Sequence, residues 1–333
     1  MLPIEQYKKD IADLLIRWHD SPILEAKTSG STGTPKIIEL PKVSVQRSAE
    51  LTIDYFDLRR GDTFLVCLPV QFIAGMLMVI RADLLGATMI PIVPSSNPLR
   101  ELVDPIDFAA LTPLQLEKAL ELNPQKISLV KKMILGGAPI SHQLYDKILA
   151  LNCDTRFYHT YGMTETITHV AIRDLNATAD SDIFKALKGI LFQTTDDGRL
   201  MIFADHLDQK PIITNDIVEL LDSARFKWLD RADFVINSGG LKIFPTQLEA
   251  RIRPFCDYEF FVTAEDDEAL GQKLVLIIVD PLSAVNIIDL SARLVSQLPK
   301  NHAPKKIYRI NQLKKTETGK LVRNLKVYIN QLS

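Results

Sequence analysis

The residues best equipped for chemistry stand together near the start of the chain, in Thr28-Ser29-Gly30-Ser31-Thr32-Gly33-Thr34-Pro35-Lys36. Glycines let the backbone turn through conformations closed to other residues and bring its N–H groups close to an anion. The hydroxyls add donors, and Lys36 adds a point charge for phosphate oxygens. Such a stretch reads as a phosphate cradle. It is not a Walker A loop, whose lysine follows its glycine directly and opens a helix. Here Thr34-Pro35 intervenes and Lys-Ile-Ile-Glu-Leu continues as a strand, so a P-loop nucleoside triphosphatase is disfavoured. Further on, Glu165 lies in a polar turn beside Thr164 and Thr166. A carboxylate there can hold a magnesium ion shared with nucleotide phosphates, although a helix-capping Thr/Glu pair would have the same composition.

These groups need a scaffold. Ile4, Tyr7, Ile11, Leu14, Leu15 and Trp18 fall at three- and four-residue spacings and predict an amphipathic opening helix. Strands are expected at 23–26 and 37–40 on either side of the cradle, followed by a helix over 43–56, a strand over 63–68, a helix over 74–85 and a strand over 88–93. Apolar runs at 108–111, 132–135 and 156–159 alternate with helical stretches at 113–122 and 142–151. Short buried strands alternating with helices argue for an α/β fold with a largely parallel sheet covered on both faces. Ligands of such sheets sit beyond the carboxyl ends of the strands. Gly136-Gly137-Ala138 and Tyr161-Gly162 each stand just after an expected strand. From Phe192 the texture changes to shorter β-like runs at 200–203, 212–213, 217–221 and 225–229. A boundary near 230–233 separates a large domain, 1–230, from a small α+β domain, 231–333. The small domain is expected to hold helices at 246–252 and 287–297, strands at 259–263 and 274–279, and a last helix from Lys320.

Composition narrows the function classes. The 333 residues suffice for one large and one small domain, and the 47% hydrophobic and 24% charged shares are those of a soluble globular protein. A net charge of -2 offers no electrostatic reason for a nucleic acid or an anionic membrane as partner. Cys67, Cys153 and Cys256 are scattered and odd in number, without C-x-x-C spacing, so neither a disulfide framework nor a structural zinc site is indicated and a reducing cytoplasm fits. The first residues lack the apolar core and cleavage site of a signal peptide. The most hydrophobic run, 64–80, contains Pro69, Gln71 and Gly75 and ends at Arg81. It reads as a buried strand and a buried helix, because a bilayer span needs about 20 uninterrupted apolar residues.

The cradle is similar to the phosphate-binding loop of the adenylate-forming superfamily, the acyl- and aryl-CoA synthetases, luciferases and peptide-synthetase adenylation domains. Four later stretches agree with that family in order: Tyr161-Gly-Met-Thr-Glu-Thr166, Thr214-Asn-Asp216, Asp230-Arg-Ala-Asp233 with Ser238-Gly239-Gly240, and Lys315-Thr-Glu-Thr-Gly-Lys320. The resemblance implies ATP and magnesium as cofactors, with coenzyme A as co-substrate. It implies that Thr28 to Thr34 and Lys36 hold phosphates, that Thr164 and Glu165 serve the reacting phosphates and metal, and that Tyr161 and Gly162 meet adenine opposite Gly136, Gly137 and Ala138. Asp216 would accept hydrogen bonds from the ribose hydroxyls and Arg231 would complete the ribose and phosphate contacts. The family more often has glycine where Asn215 stands, which touches the turn geometry. Lys320 would reach the substrate carboxylate and the α-phosphate and stabilise the charge built up as acyl-adenylate forms. Asp233 matches the family's hinge, and the glycines of Ser238-Gly239-Gly240 would pass the pantetheine arm of CoA.

Leu68-Pro-Val-Gln-Phe-Ile-Ala-Gly75 and the helix after it resemble the acid-binding segment of the family's o-succinylbenzoyl-CoA synthetases, enzymes of menaquinone synthesis. The family at large often has histidine near Gln71. That resemblance names Phe72, Gly75, His159, Thr160, Met163 and His169 as candidates for the acid pocket. The cradle begins at residue 28, so the expectation is an N-terminally shortened member of the fold, in which a homo-oligomer would cover the acid and CoA entrance. Another aryl or acyl ligase, an enzyme loading a carrier protein, and a non-catalytic nucleotide binder stay open on the motifs alone.

Overall fold

Tyr7, Ile11, Leu14 and Trp18 recur along one stripe of a helix, and they are buried along α1 (Ile4–Asp20). The computed structural model describes residues 3–27, 37–177, 182–207, 210–314 and 321–331. The chain divides into two compact units. Met1–Gln193, Met201–Ile213 and Leu220–Lys227 form the first; Thr194–Leu200, Thr214–Glu219 and Trp228–Ser333 form the second.

In the first unit β1 (Ile23–Lys27) and β2 (Ile37–Pro41) make an antiparallel pair in which Leu24 faces Leu40. The chain continues through α2 (Lys42–Tyr55), β3 (Thr63–Val66), α3 (Ile73–Leu85), β4 (Thr88–Pro91), β5 (Ile106–Leu111), α4 (Pro113–Leu122), β6 (Val130–Leu135), α5 (His142–Leu149), β7 (Arg156–Gly162), β8 (His169–Asp174) and β9 (Ile183–Ala186). β4, β3, β5, β6 and β7 pair in parallel in that order. Their residues are buried almost without alternation, among them Phe64, Leu65, Val66, Phe108, Ala109, Met133 and Leu135. This is what a sheet covered on both faces requires. Leu65, Ala109 and Met133 join one apolar cluster with Leu116 of α4 and Leu144 of α5, whereas Val66 joins another with α1, α2 and α3. The sheet thus separates two helical layers. α4 begins at a built cap: Thr112 accepts from the Gln115 backbone while the Gln115 side chain accepts from the Thr112 backbone. That arrangement contributes on the order of 1 kcal/mol.

Beyond β7 the sheet turns antiparallel, through β8 and then β9. The sequence reading assigned neither of these strands. β10 (Ile190–Thr194), β11 (Arg199–Ala204), β12 (Ile212–Asp222) and β13 (Arg225–Arg231) follow, and Arg225, Phe226 and Lys227 pair with β9.

In the second unit β14 (Ile236–Ser238) and β15 (Leu241–Ile243) form a two-residue hairpin, with Ser238 opposite Leu241. Gly239 and Gly240 at its tip have φ of 57° and 80°, the mirror-image turn that suits hairpins and is closed to most side chains. α6 (Pro245–Ile252), β16 (Phe260–Asp267), β17 (Gly271–Val279), α7 (Ile287–Gln297) and β18 (Lys306–Ile310) complete an α+β unit, β16 antiparallel and β18 parallel to β17. Its core gathers Leu248, Ile252, Val262, Leu276, Leu290 and Leu294. The helix expected from Lys320 is not found: residues 315–320 lie outside the described residues, and the end of the chain makes a 3-10 segment, Leu325–Gln331. Arg323 just before it grips the largely buried Glu249 of α6 with both terminal guanidinium nitrogens. Among the described residues no helix is long and apolar enough to cross a membrane.

Candidate active site

Two of the motifs, the cradle at 28–36 and the Lys320 stretch at 315–320, lie outside the described residues. The segment leading into the cradle is described. Lys27, the last residue of β1, donates its N–H to the Gln71 carbonyl at 3.0 Å and bridges in parallel to Phe72. Phe72 caps α3, and Gly75 lies one turn in. A Cβ on Gly75 would sit 2.4 Å from the Pro69 carbonyl oxygen and 2.6 Å from that of Leu68. Glycine is therefore needed for α3 to rest on the backbone before it, which makes Gly75 a packing residue.

The carboxyl ends of β6 and β7 bring the nucleotide candidates together. Leu135 pairs with His159 across these strands, so Gly136-Gly137-Ala138 leaves the sheet beside Thr160-Tyr161-Gly162. Thr160 donates its hydroxyl to the Leu135 carbonyl at 3.0 Å, and the Thr160 hydroxyl oxygen lies 2.6 Å from where a Gly136 Cβ would be. Gly137 has φ of 81°. Tyr161 is held edge-on by Phe184 and Phe226, with ring centroids 5.7 and 5.2 Å away. The β7–β8 register shifts between Tyr161 and Gly162. There a Gly162 Cβ would meet the Thr168 carbonyl oxygen at 2.3 Å and the His169 Cα at 2.5 Å.

After this crossing, Thr164–Thr166 forms a single 3-10 turn. Thr166 is fully buried and its hydroxyl accepts from the Met163 N–H at 2.9 Å. Ile167 takes φ of 66°, a costly conformation for a β-branched residue, and its side chain is buried in the core. The buried neighbours hold the turn and leave Glu165 exposed. Among the described residues Glu165 makes no hydrogen bond, and no cluster of three metal-ligating side chains stands nearby. One exposed carboxylate suits magnesium bound jointly with nucleotide phosphates, which keeps most of its ligands from water and substrate.

Behind the turn lies a group the sequence reading passed over. Arg81 sits in α3 with only 2% of its surface exposed. It donates to the Thr168 hydroxyl at 3.0 Å, and its Nε is buried without a partner. Among the described residues no carboxylate pairs with it, and burial lowers its pKa to about 9. His169, next to Thr168, is buried with Nε2 3.1 Å from the Thr52 hydroxyl. Burial, and then the Arg81 charge, hold it neutral, well below the usual histidine range. The signal for Arg81 was available as one arginine inside an otherwise apolar helix.

The remaining candidates belong to the second unit. Asp216 is buried, accepts from the Trp228 indole at 3.1 Å and donates its own N–H to the Thr214 hydroxyl. One Asp233 oxygen accepts from the Asn215 amide at 3.0 Å and from Arg231 Nε at 3.2 Å. Asn215 thus fastens the turn before Asp216 to the expected hinge. Asp230, unassigned beforehand, is fully buried and accepts from the N–H groups of Thr246 and Arg231 at 2.7 and 2.9 Å. It fastens the start of α6, and burial raises its pKa. Ser238, Gly239 and Gly240 form the hairpin tip described above.

A strand-end glycine loop, an aromatic tyrosine and a carboxylate turn thus stand together at the carboxyl ends of the strands, where α/β sheets take their ligands. The family model of AMP-binding enzymes matches residues 19–189, just over half of the chain. An acyl-CoA synthetase (AMP-forming)/AMP-acid ligase II-like protein from Dyadobacter fermentans is 34% identical in its solved structure. That match covers 98% of this chain and 95% of that one with a TM-score of 0.67. The chain belongs to the AMP-binding enzyme family. Among curated relatives, the 2-succinylbenzoate-CoA ligase of Staphylococcus epidermidis is 26% identical over 89% of this chain and 67% of its own. The chain spans 65% of the Staphylococcus aureus counterpart. The o-succinylbenzoate CoA synthetase (MenE) of Bacillus subtilis, solved with its acyl-adenylate intermediate OSB-AMP, shares the fold at a TM-score of 0.75 and 20% identity, over 90% of this chain and 68% of that one.

Proposed function

We propose that this chain is an ATP-dependent, AMP-forming acid-CoA ligase whose acid is o-succinylbenzoate, placing it in menaquinone synthesis. The reaction runs in two halves. One carboxylate of the acid attacks the α-phosphorus of ATP, forming a C–O–P bond and releasing pyrophosphate. The CoA thiol, giving up its proton, then attacks the acyl carbon and AMP leaves. Splitting the reaction replaces oxide, a poor leaving group, by adenylate. Magnesium, bound by Glu165 together with the phosphates, would screen their charge. Thr164 lies beside it in the same turn. Tyr161 and Gly136-Gly137-Ala138 orient the base, Asp216 and Arg231 the ribose, and Lys36 and Lys320 the phosphates and the reacting carboxylate. The 231–333 domain is read as swinging about Asp233 between the two halves, since such a hinge needs only a few residues.

The observation that carries the choice of acid is Arg81. A buried guanidinium with an unpartnered Nε is costly to keep, and a substrate with a second carboxylate supplies its missing partner. o-Succinylbenzoate has one; benzoate and fatty acids do not. The names of the staphylococcal relatives agree with this choice. The test is acid-dependent exchange of pyrophosphate into ATP with o-succinylbenzoate, benzoate, acetate and a fatty acid, followed by thioester formation on adding CoA. Better turnover with any of the other three acids would sink the assignment, and no exchange with any acid would point to a nucleotide binder.

A further inference from the structure

We propose that His159 is a positioning residue: a neutral imidazole, protonated on Nε2, that braces the Gly136-Gly137-Ala138 loop against β8 through Arg173. The proposal rests on the reading of that loop as one wall of the nucleotide-base pocket.

His159 stands in β7 between Leu135 of β6, the strand that feeds the loop, and Arg173 of β8. Arg173 donates its Nε–H to His159 Nδ1 at 3.1 Å. A guanidinium has donors only, so Nδ1 is the acceptor and the ring proton of the neutral form must sit on Nε2. The Ala138 backbone acts on the other side of the ring and favours its protonated form, as a carbonyl facing an Nε2–H does. Phe184, 3% exposed, floors both groups, with the His159 ring centroid at 5.2 Å and the Arg173 guanidinium at 5.3 Å. Adding a second proton would set an Nδ1–H against the Arg173 N–H. Burial and the Arg173 charge accordingly push His159 down to about 3. Burial lowers the pKa of Arg173 itself, and Tyr145 of α5 and Asp182 counter part of that and favour its charged form.

The brace has a physical purpose. A loop of two glycines and an alanine has no large side chain to anchor it, and a free glycine backbone has the most conformational freedom to lose. The Gly136 N–H is tied to the Leu111 carbonyl at 3.2 Å, and the His159 ring ties the Ala138 end. Both ring nitrogens are then occupied, which leaves none for the acid. His159 leaves the list of acid-pocket candidates on this reading.

Two measurements test this. Nitrogen NMR of the full chain with labelled histidine should show the Nε2–H tautomer of His159, unchanged between about pH 5 and about pH 8, the range in which an ordinary histidine titrates. An Nδ1–H tautomer, or titration in that range, overturns the proposal. This readout needs no ligase activity, so it separates the brace from the functional reading. Calorimetry with ATP alone then compares variants. His159→Ala should weaken ATP binding roughly tenfold, the worth of about one good hydrogen bond, with the KM for the acid unchanged. His159→Gln, whose amide can accept from Arg173 and donate to Ala138, should restore most of the loss. A His159→Ala protein that binds ATP normally but has an altered KM for the acid also overturns it.

Discussion

Replacing Arg81 by methionine is expected to make the protein more stable and worse at choosing its acid. Burial brings the guanidinium down to about 9, and against an ordinary arginine, at about 1.4 kcal/mol per tenfold, that depression amounts to roughly 5 kcal/mol. The hydrogen bond to Thr168 offsets about 1.5–3 kcal/mol of this. The net gain from Arg81→Met is then about 2–3.5 kcal/mol, in the range found when buried charges are exchanged for apolar groups. The sign with pH follows from the direction of the shift. A base with a lowered folded-state pKa carries its full penalty below that value, and the penalty fades only as pH rises above about 9. The gain should therefore be flat from about pH 5 to about pH 8. Thermal unfolding should show a rise in Tm of roughly 5–10 °C for a unit of this size. In parallel, kcat/KM for o-succinylbenzoate should fall about 10- to 150-fold, the loss of one charged hydrogen bond, while benzoate is handled as before. A variant that melts earlier than the parent, or loses both acids equally, would refute the reasoning.

Other expected outcomes follow from the same geometry. Gly162→Ala drives a Cβ into the Thr168 and His169 backbone; it should cost about 1–3 kcal/mol in a denaturation curve and cut pyrophosphate exchange more than it cuts stability. Arg323→Met leaves Glu249 largely buried without its counter-charge, at a cost of about 3–5 kcal/mol, while Arg323→Met with Glu249→Met should recover most of it in urea titration. Lys36→Ala and Lys320→Ala should slow adenylation yet spare thioester formation from supplied acyl-AMP. Asp233→Pro, which locks the backbone φ, should do the reverse, and unchanged overall turnover in that variant would remove the hinge.

Local pattern sufficed where a residue's environment is set by its neighbours along the chain. The three- and four-residue spacing of Tyr7, Ile11, Leu14 and Trp18 predicted α1, and the apolar runs before Gly136 and Tyr161 predicted β6 and β7. The ordered motifs sufficed to place the chain in its family. β8 and β9 were not legible as strands because their pairing is with residues on β7 and β13, a choice made by the sheet and not by a four- to six-residue stretch alone. The 3-10 end at Leu325–Gln331 likewise answers to its packing on β16 and β18.

At the site the division is sharper. Sequence by itself nominated the residues to meet phosphate and base, since residue type is what nominates them: glycines, hydroxyls, a tyrosine face, a carboxylate in a turn. Only the tertiary structure decided what surrounds each of them, because burial and partners come from distant segments. Arg81 counted in the sequence only as the end of an apolar run, and the fold leaves it buried beside Thr168, 87 residues away. His159 and His169 were equal candidates in the sequence. The fold joins one to Arg173 and the Ala138 backbone and the other to Thr52, since a histidine's partners are fixed by which strand lies opposite it.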